Sequence, residues 1–552
     1  MNFVSQFSKV QERLFLQYIG PRNDFDIIIV GSGIGGGILA DALADRLGQQ
    51  KRILVLEAGS YIYPTHVYNL CRFPNDALAR HFGCDTFTQP GNSDSADYIG
   101  EKPQLNLGGR SIFWSGLIPT IQNWELAFFP PEVRSALAAG LLNQAGAVMN
   151  ESRTLGATAA AVVNELRQSG LNADFSIQET PRALHQPYLA ADGVPKDQFF
   201  TEPTGVFNTA ELLINQLGLT PGVSHGDFGG LQLLLNRYVE DIAYSNGRYQ
   251  ALTTNTLDQK RRTFNAPTVV LAAGSIESPK LLGRSSVFGS LPASVQPLVG
   301  RGLTDHPTTA DMTTLVTRIG NVSIPRTSHA KIIFYSRGAP EPDGSIRYPF
   351  DVQMNINHEK WHLRENDPSG PQPDPRPGDS RSQVDIKFSF GNCLDEGNEV
   401  RPSPAGNYVP EIRFGNLRWM DRLAAQRFPA LAGWHKSPDE VCLVLNAVTH
   451  SIFSLFRDGE VPARPQFESW FHPNGKGFGW GTVHHAVGTL RMPFRSQHSS
   501  PNFDFTSVVD ENLEVAGMPN LYVCDMSVMP FSTAANPVRT LVGLALRLAG
   551  RL

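Results

Sequence analysis

DIIIVGSGIGGG, residues 26–37, is the stretch on which the fold turns. Its first half, Asp26 to Val30, is β-branched and apolar, as a strand buried on both faces of a parallel sheet must be. Its second half spells Gly31-Ser32-Gly33-Ile-Gly-Gly36, the dinucleotide fingerprint G-x-G-x-x-G, directly after a strand and opening an alanine-rich helical stretch. In that context Gly31 permits the tight turn, Gly33 lets the backbone approach a pyrophosphate, and Gly36 lets the helix pack on the sheet. The helix N-terminus itself favours the phosphates. A second apolar run, Ile53 to Leu56, ends in Glu57 and Ala58. An acid about twenty residues past the glycines accepts from ribose hydroxyls and disfavours a 2′-phosphate. The fingerprint alone leaves FAD and NAD open.

Composition narrows the class. The chain has 552 residues, 41% hydrophobic and 18% charged, an ordinary globular balance with room for two or three structural units. Its net charge of −5, without lysine or arginine clusters, lacks the electrostatic footprint of a nucleic-acid partner. The five cysteines, Cys71, Cys84, Cys393, Cys442 and Cys524, form no Cys-x-x-Cys pair, which argues against a disulfide framework and a zinc site; no metal is expected. Residues 1–20 mix charge with apolar positions and read as a short amphipathic helix, not a signal peptide. No apolar run approaches the roughly 20 residues of a membrane span, and the expected location is the cytoplasm.

Organisation follows from changes in periodicity. Residues 231–252 alternate around an Asn246-Gly247 turn, a strand and hairpin, and Thr268 to Gly274 reads as another buried strand. Residues 308–478 shift to polar-apolar alternation, as in QVDIKFSF from Gln383 to Phe390, which points to an antiparallel substrate sheet. The proline-rich segment 367–380 interrupts it as an exposed, mobile loop. The reading is therefore α/β: a Rossmann-like cofactor domain assembled from the discontinuous segments 1–125, 206–307 and 479–552, a helical cap at 126–205, and a substrate domain at 308–478.

Near the C-terminus, NLYVCDMSVMP (Asn520 to Pro530) ends a strand at Asp525, and Asn536-Pro537 precedes an apolar helix. An acid at a strand end can accept from a ribityl or ribose hydroxyl. Taken with GSGIGGG, LEAG, NLGGRSIFWSG (Asn106 to Gly116), AAGSIESPKLL (Ala272 to Leu282), GRGLTDHP (Gly300 to Pro307) and HHAVGTLRMP (His484 to Pro493), the chain resembles the glucose-methanol-choline (GMC) family of FAD-dependent oxidoreductases along nearly its whole length.

That resemblance implies FAD as the cofactor. It places Gly108, Gly109 and Ser111 in a loop crossing the flavin, Val239 at the adenine through its backbone, and Asp525 and Met526 at the ribityl and pyrophosphate region. Proline at the first helical position fixes φ without losing a needed donor, so Pro537 starts a helix whose positive end favours negative charge on the cofactor. It implies His485 as the base, since only His485 satisfies His-x-x-Gly-Thr with Gly488 and Thr489, and Asn536 as the partner holding the same oxygen. A neutral imidazole titrating near the working pH suits removal of a hydroxyl proton while hydride passes to flavin N5.

His484 becomes a neighbour of the site, His306 a structural residue near the flavin, and Trp114 either cavity lining or core. Some relatives carry a flavin-linking histidine where this chain has Phe113, so non-covalent FAD is expected. The substrate is a primary or secondary alcohol, with a sugar or glycoside first; dioxygen, a quinone or a protein carrier takes the electrons. A flavin-containing lyase of the hydroxynitrile-lyase type is the alternative. Oligomeric state is left open.

Overall fold

A computed structural model describes residues 22–61, 87–88, 104–152, 156–183, 206–218, 230–309, 312–342, 344–357, 376–402, 410–414, 436–457, 484–495, 503–504 and 507–552. The N-terminal amphipathic segment, Cys71, Cys84 and residues 367–375 lie outside them. In chain order the elements that build the two main sheets and their helices are β1 (Ile27–Val30), α1 (Ile34–Leu47), β2 (Arg52–Leu56), α2 (Ala157–Arg167), β3 (Phe175–Glu179), α3 (Thr209–Gly218), β4 (Gly230–Leu234) and β5 (Thr268–Leu271). They continue with α4 (Gly274–Arg284), β6 (Met312–Val316), β7 (Ala330–Ser336), β8 (Phe350–Ile356), β9 (Ser382–Phe390), α5 (Pro438–Phe453), β10 (Leu521–Val523) and α6 (Val538–Ala549).

The first sheet is parallel, in the order β10-β5-β1-β2-β4. Ile27 stands beside Ile53 on one side and Thr268 on the other, so the fingerprint strand is central. Its strands come from three distant parts of the chain, as the discontinuous reading requires. Helix α1 lies close on this sheet because its first turn is glycine: a Cβ on Gly36 would sit 2.1 Å from the Gly31 carbonyl oxygen, and one on Gly35 1.9 Å from that of Cys524. Arg237–Ser245, Arg248–Asn255 and Arg261–Ala266 form a separate antiparallel sheet, with the expected turn at Asn246 and Gly247.

The second large sheet is antiparallel, in the order β6-β9-β8-β7-β3. Its alternation gives it two different faces. Phe350, Val352, Met354 and Ile356 of β8 and Val384, Ile386, Phe388 and Phe390 of β9 point one way, into a core with α2 and α5. Each such side chain contributes about 1.5–3 kcal/mol by leaving water. The alternate positions, Asp351, Gln353 and Asn355 on β8 and Asp385, Lys387 and Ser389 on β9, carry polar groups to the opposite face.

The helical cap expected at 126–205 is corrected. Its first half, including Leu137, Leu142, Ala145 and Met149, belongs to the core around the parallel sheet, and Arg539 of α6 pairs with Glu151 at 2.8 Å. Its second half joins the substrate layer, with α2 packed on the antiparallel sheet and β3 as that sheet's edge strand. The short β3 carries too little apolar periodicity to reveal a partner more than 150 residues away. The described end of the proline-rich segment is also tied down, since Arg326 Nη1 donates to the Arg376 carbonyl at 2.6 Å and to that of Asp379.

Candidate active site

The cofactor side is built around the fingerprint turn. Gly33 is the N-cap of α1, no side chain caps that helix, and a Cβ on Gly33 would meet nothing within 4 Å. The first turn of α1 is therefore left without a side-chain cap beside a glycine with room around it, at the place where a pyrophosphate is expected, and the residues present fit a dinucleotide there. The loop at Gly108 is stitched over this turn: Gly108 N donates to Ser32 Oγ at 3.0 Å, Ser32 Oγ donates to Glu57 Oε2 at 2.5 Å, and Ser111 Oγ donates to the Gly108 carbonyl at 2.6 Å. Gly108 and Gly109 both have positive φ, 83° and 51°, so this loop shape requires glycine.

Two acids differ in what they have left to offer. Glu57 accepts from Ser32 N at 3.1 Å, Ser32 Oγ and Gly59 N at 2.8 Å, which leaves part of its acceptor capacity for a ribose hydroxyl. Burial raises its pKa and those bonds pull the other way. Asp525 accepts from Gly274 N at 2.9 Å, Ser278 Oγ at 2.5 Å, Ser527 N at 2.9 Å and Ser527 Oγ at 2.5 Å. Four protein donors fill its lone-pair directions. That carboxylate clamps the start of α4 to the loop after β10. Ala58 is half-buried behind Glu57, and Val239 is held nearby because Arg237 N donates to the Glu57 carbonyl at 2.8 Å.

The candidate catalytic residues meet beyond the ends of these strands. An antiparallel bridge pairs Thr304 with Val487. Two residues on from the first and two back from the second are His306 and His485, which this register sets opposite each other. His485 Nδ1 lies 3.0 Å from His306 Nε2, with the rings edge to face at 86°. His306 Nδ1 lies 2.9 Å from the Thr533 carbonyl oxygen. A carbonyl only accepts, so His306 carries its proton on Nδ1; neutral His306 then accepts at Nε2, and His485 carries its proton on Nδ1. The Nε2 lone pair of His485 is the one left free.

Burial holds His306 down at about 4, with the Thr533 bond opposing and the Lys387 charge adding. Burial, then the charges of Lys387 and Arg110 and the like charge the neighbouring imidazoles would add if protonated, hold His485 well below the usual imidazole range. Both are neutral at neutral pH. His484 itself is exposed, in a left-handed turn with φ 61°.

Asn536 stands three residues past Thr533. Its Oδ1 receives a hydrogen bond from Gln353 Nε2 at 3.1 Å, so the polar face of the antiparallel sheet borders the site. The loop before it is fixed by Glu125, whose Oε1 accepts from Ala534 N at 2.6 Å. Pro537 is the N-cap of α6, with φ −80°, one position ahead of the first helical residue where the sequence placed it.

Two family models described as GMC oxidoreductase match the chain, an N-terminal one over residues 226–308 and a C-terminal one over residues 445–545. Over those two stretches the chain is similar to GMC oxidoreductases. GMC oxidoreductases bind FAD, and the open fingerprint turn with its stitched loop is consistent with that cofactor. The crystal structure of pyridoxine 4-oxidase from Mesorbium loti is similar to this chain with a TM-score of 0.60 at 17% identity, covering 96% of this chain and 99% of that one, which shows a common fold. No curated protein matches the sequence. Among the described residues no helix is long and apolar enough to cross a membrane.

Several residues that shape this site were not singled out by sequence reasoning. Thr209 donates from Oγ1 to the Ser32 carbonyl at 2.9 Å and from N to Ser111 Oγ at 3.0 Å, joining the two loops of the cofactor cradle. Gln353 and Glu125 hold the Asn536 loop from two sides. Trp114, which the sequence leaves between cavity lining and core, donates from Nε1 to the Phe207 carbonyl at 2.8 Å and packs on the main core with Phe113.

Proposed function

We propose that this chain oxidises the CH–OH group of a polar alcohol, with a sugar or glycoside hydroxyl first, using His485 as base and Asn536 as its partner. One observation carries the reading: the chain from the Thr533 carbonyl through His306 leaves a neutral His485 with its Nε2 lone pair free. Non-covalently bound FAD, held by Gly31, Gly33, Gly36, Glu57, Gly108, Gly109, Ser111 and Val239, would supply the acceptor for the hydride that leaves carbon. Asp525 and Met526 then contribute main chain to the ribityl and pyrophosphate contact.

His485 Nε2 takes the hydroxyl proton, and Asn536 holds the oxygen as negative charge grows on it. The general-base contribution is about 10²- to 10⁴-fold. The polar sheet face beside Asn536, with Gln353 and the charged Lys387 paired across strands, supports a substrate bearing further hydroxyl groups.

Anaerobic mixing of the holoenzyme with D-glucose, a methyl glycoside, glycerol, pyridoxine and benzyl alcohol tests the proposal. Bleaching of the flavin by the polyhydroxyl compounds is the expected result. Bleaching by benzyl alcohol alone rejects the polar substrate, and cleavage of a cyanohydrin without bleaching by any alcohol makes the chain a lyase. Readmitting dioxygen then separates an oxidase, whose colour returns at once, from a dehydrogenase that needs a quinone or protein carrier. Acid precipitation should release yellow flavin into the supernatant, because Phe113 offers no nucleophile for a covalent link; colour kept in the pellet rejects non-covalent binding.

A further inference from the structure

We infer that Gln353, on the central strand β8 of the antiparallel sheet, is a positioning residue that sets which end of the Asn536 amide faces the substrate. The inference rests on the reading of Asn536 given above. Gln353 is 6% exposed, and its Nε2 reaches Ser389 Oγ at 3.3 Å and Asn536 Oδ1 at 3.1 Å. An amide nitrogen carries two N–H groups, and these two acceptors use both. Asn536 Oδ1 is thereby taken by a protein donor, and Nδ2 is the group left to meet the substrate.

The chemistry requires that orientation. As His485 Nε2 removes the hydroxyl proton, negative charge gathers on the substrate oxygen; an N–H aimed at it stabilises that charge and a carbonyl oxygen would repel it. A free asparagine amide presents either end. Here the acceptor of the pair is fixed from one side, by Thr533 through His306, and the donor from the other, by Ser389 and Gln353. The substrate sheet therefore supplies part of the site's polarity as well as part of its wall.

Gln353→Glu tests this, because a neutral carboxyl can donate to Asn536 Oδ1 as the amide did, whereas a carboxylate only accepts and turns the Asn536 oxygen toward the substrate. With the alcohol that bleaches the wild-type flavin fastest in the set above, anaerobic reduction in the variant should be near wild type at acid pH. It should fall about 100-fold as pH rises through the introduced group's pKa, a step the wild type lacks. In an Asn536→Ala background the same substitution should change the rate less than about 3-fold, since the two residues act as one unit. Gln353→Met, which keeps length and removes the donor, should slow reduction by about 10-fold without a pH step, and its crystal structure should show the Asn536 side chain displaced.

A rate that rises with pH in Gln353→Glu, a loss that is flat in pH, or a full loss in the Asn536→Ala background overturns the inference while leaving the proposed function standing. A displaced Asn536 in Gln353→Met supports it, and an undisturbed one overturns it. If Asn536→Ala reduces at the wild-type rate, or no alcohol bleaches the flavin at all, the proposed function fails and this inference with it.

Discussion

The parallel and antiparallel sheets place their chemistry differently. In the parallel sheet β1, β2 and β5 are buried on both faces, and nothing along their length bears on a ligand; everything useful lies in the loops at their ends, at Gly31, Glu57 and Asp525. The antiparallel sheet uses its length. One face of β8 and β9 is core, and the other carries Asp351, Gln353, Asp385 and Lys387, of which Gln353 reaches Asn536. A scaffold with chemistry at its edge tolerates substitution along its strands if size is kept. A sheet with chemistry on its face does not, and every second residue counts.

The sharpest way to break this comparison is at the strand-end cluster. His485→Ala should lower anaerobic flavin reduction by about 10²- to 10⁴-fold while FAD stays bound, as absorbance and reduction traces would record. Reduction at the wild-type rate would remove the cluster from the chemistry. The pH profile of the wild type should show its acid limb well below 6.5, because burial and cationic neighbours depress His485. On the substrate side, Phe388→Ala on the apolar face, where the ring meets Phe350 at 5.1 Å, should cost about 3–5 kcal/mol in denaturant unfolding. The flavin spectrum should stay unchanged; a changed one would mean the two cores are not separate in the way their packing suggests.

Sequence legibility divides along the same line. The cofactor scaffold was readable because its determinants are contiguous: an apolar strand, a glycine turn and an acid at fixed spacing need no knowledge of distant residues. His485 and Asn536 were readable as motif positions. Their supports were not, since His306 meets His485 from 179 positions away, Gln353 meets Asn536 from 183, and Glu125 meets Ala534 from 409. Polar-apolar alternation around Gln383 to Phe390 announced a sheet with two faces. It did not say which buried polar group on the wet face would touch the loop before α6. Asp525 is legible as a strand-end acid but not as the acceptor of four protein donors, because Ser278 and Ser527 look like ordinary helix-turn serines until the fold brings them to its carboxylate.

Smaller effects sharpen the comparison further. His306→Leu removes the acceptor for the His485 Nδ1 proton and should slow flavin reduction by about 10- to 100-fold, less than loss of the base itself. It should also flatten the acid limb of stability. Native His306 is held at about 4 against an ordinary 6.5, so the unfolded chain binds its proton first and stability falls as pH drops from 6.5 to 4. That difference is worth about 3 kcal/mol, in a holoenzyme measured at matched FAD. His485 contributes in the same direction, so the limb should shrink without vanishing. An unchanged limb would mean that His306 is solvated in the native protein.

The smallest expected effect lies on the back of the substrate layer. Ser437 and Glu440 close a capping box at the start of α5: Glu440 N donates to Ser437 Oγ at 3.4 Å, and Ser437 N donates to Glu440 Oε2 at 2.7 Å. Ser437→Ala removes one acceptor from an otherwise unsatisfied helical N–H and should cost about 1 kcal/mol, read as a small drop in Tm. Helix α5 joins the core on the apolar face of the antiparallel sheet, through residues such as Val441 and Leu445. Flavin reduction and FAD affinity should therefore stay at wild-type values. If the cap substitution slowed reduction, strain would be crossing the sheet from its dry face to Gln353, and the sheet would be a movable part of the site and not a fixed wall.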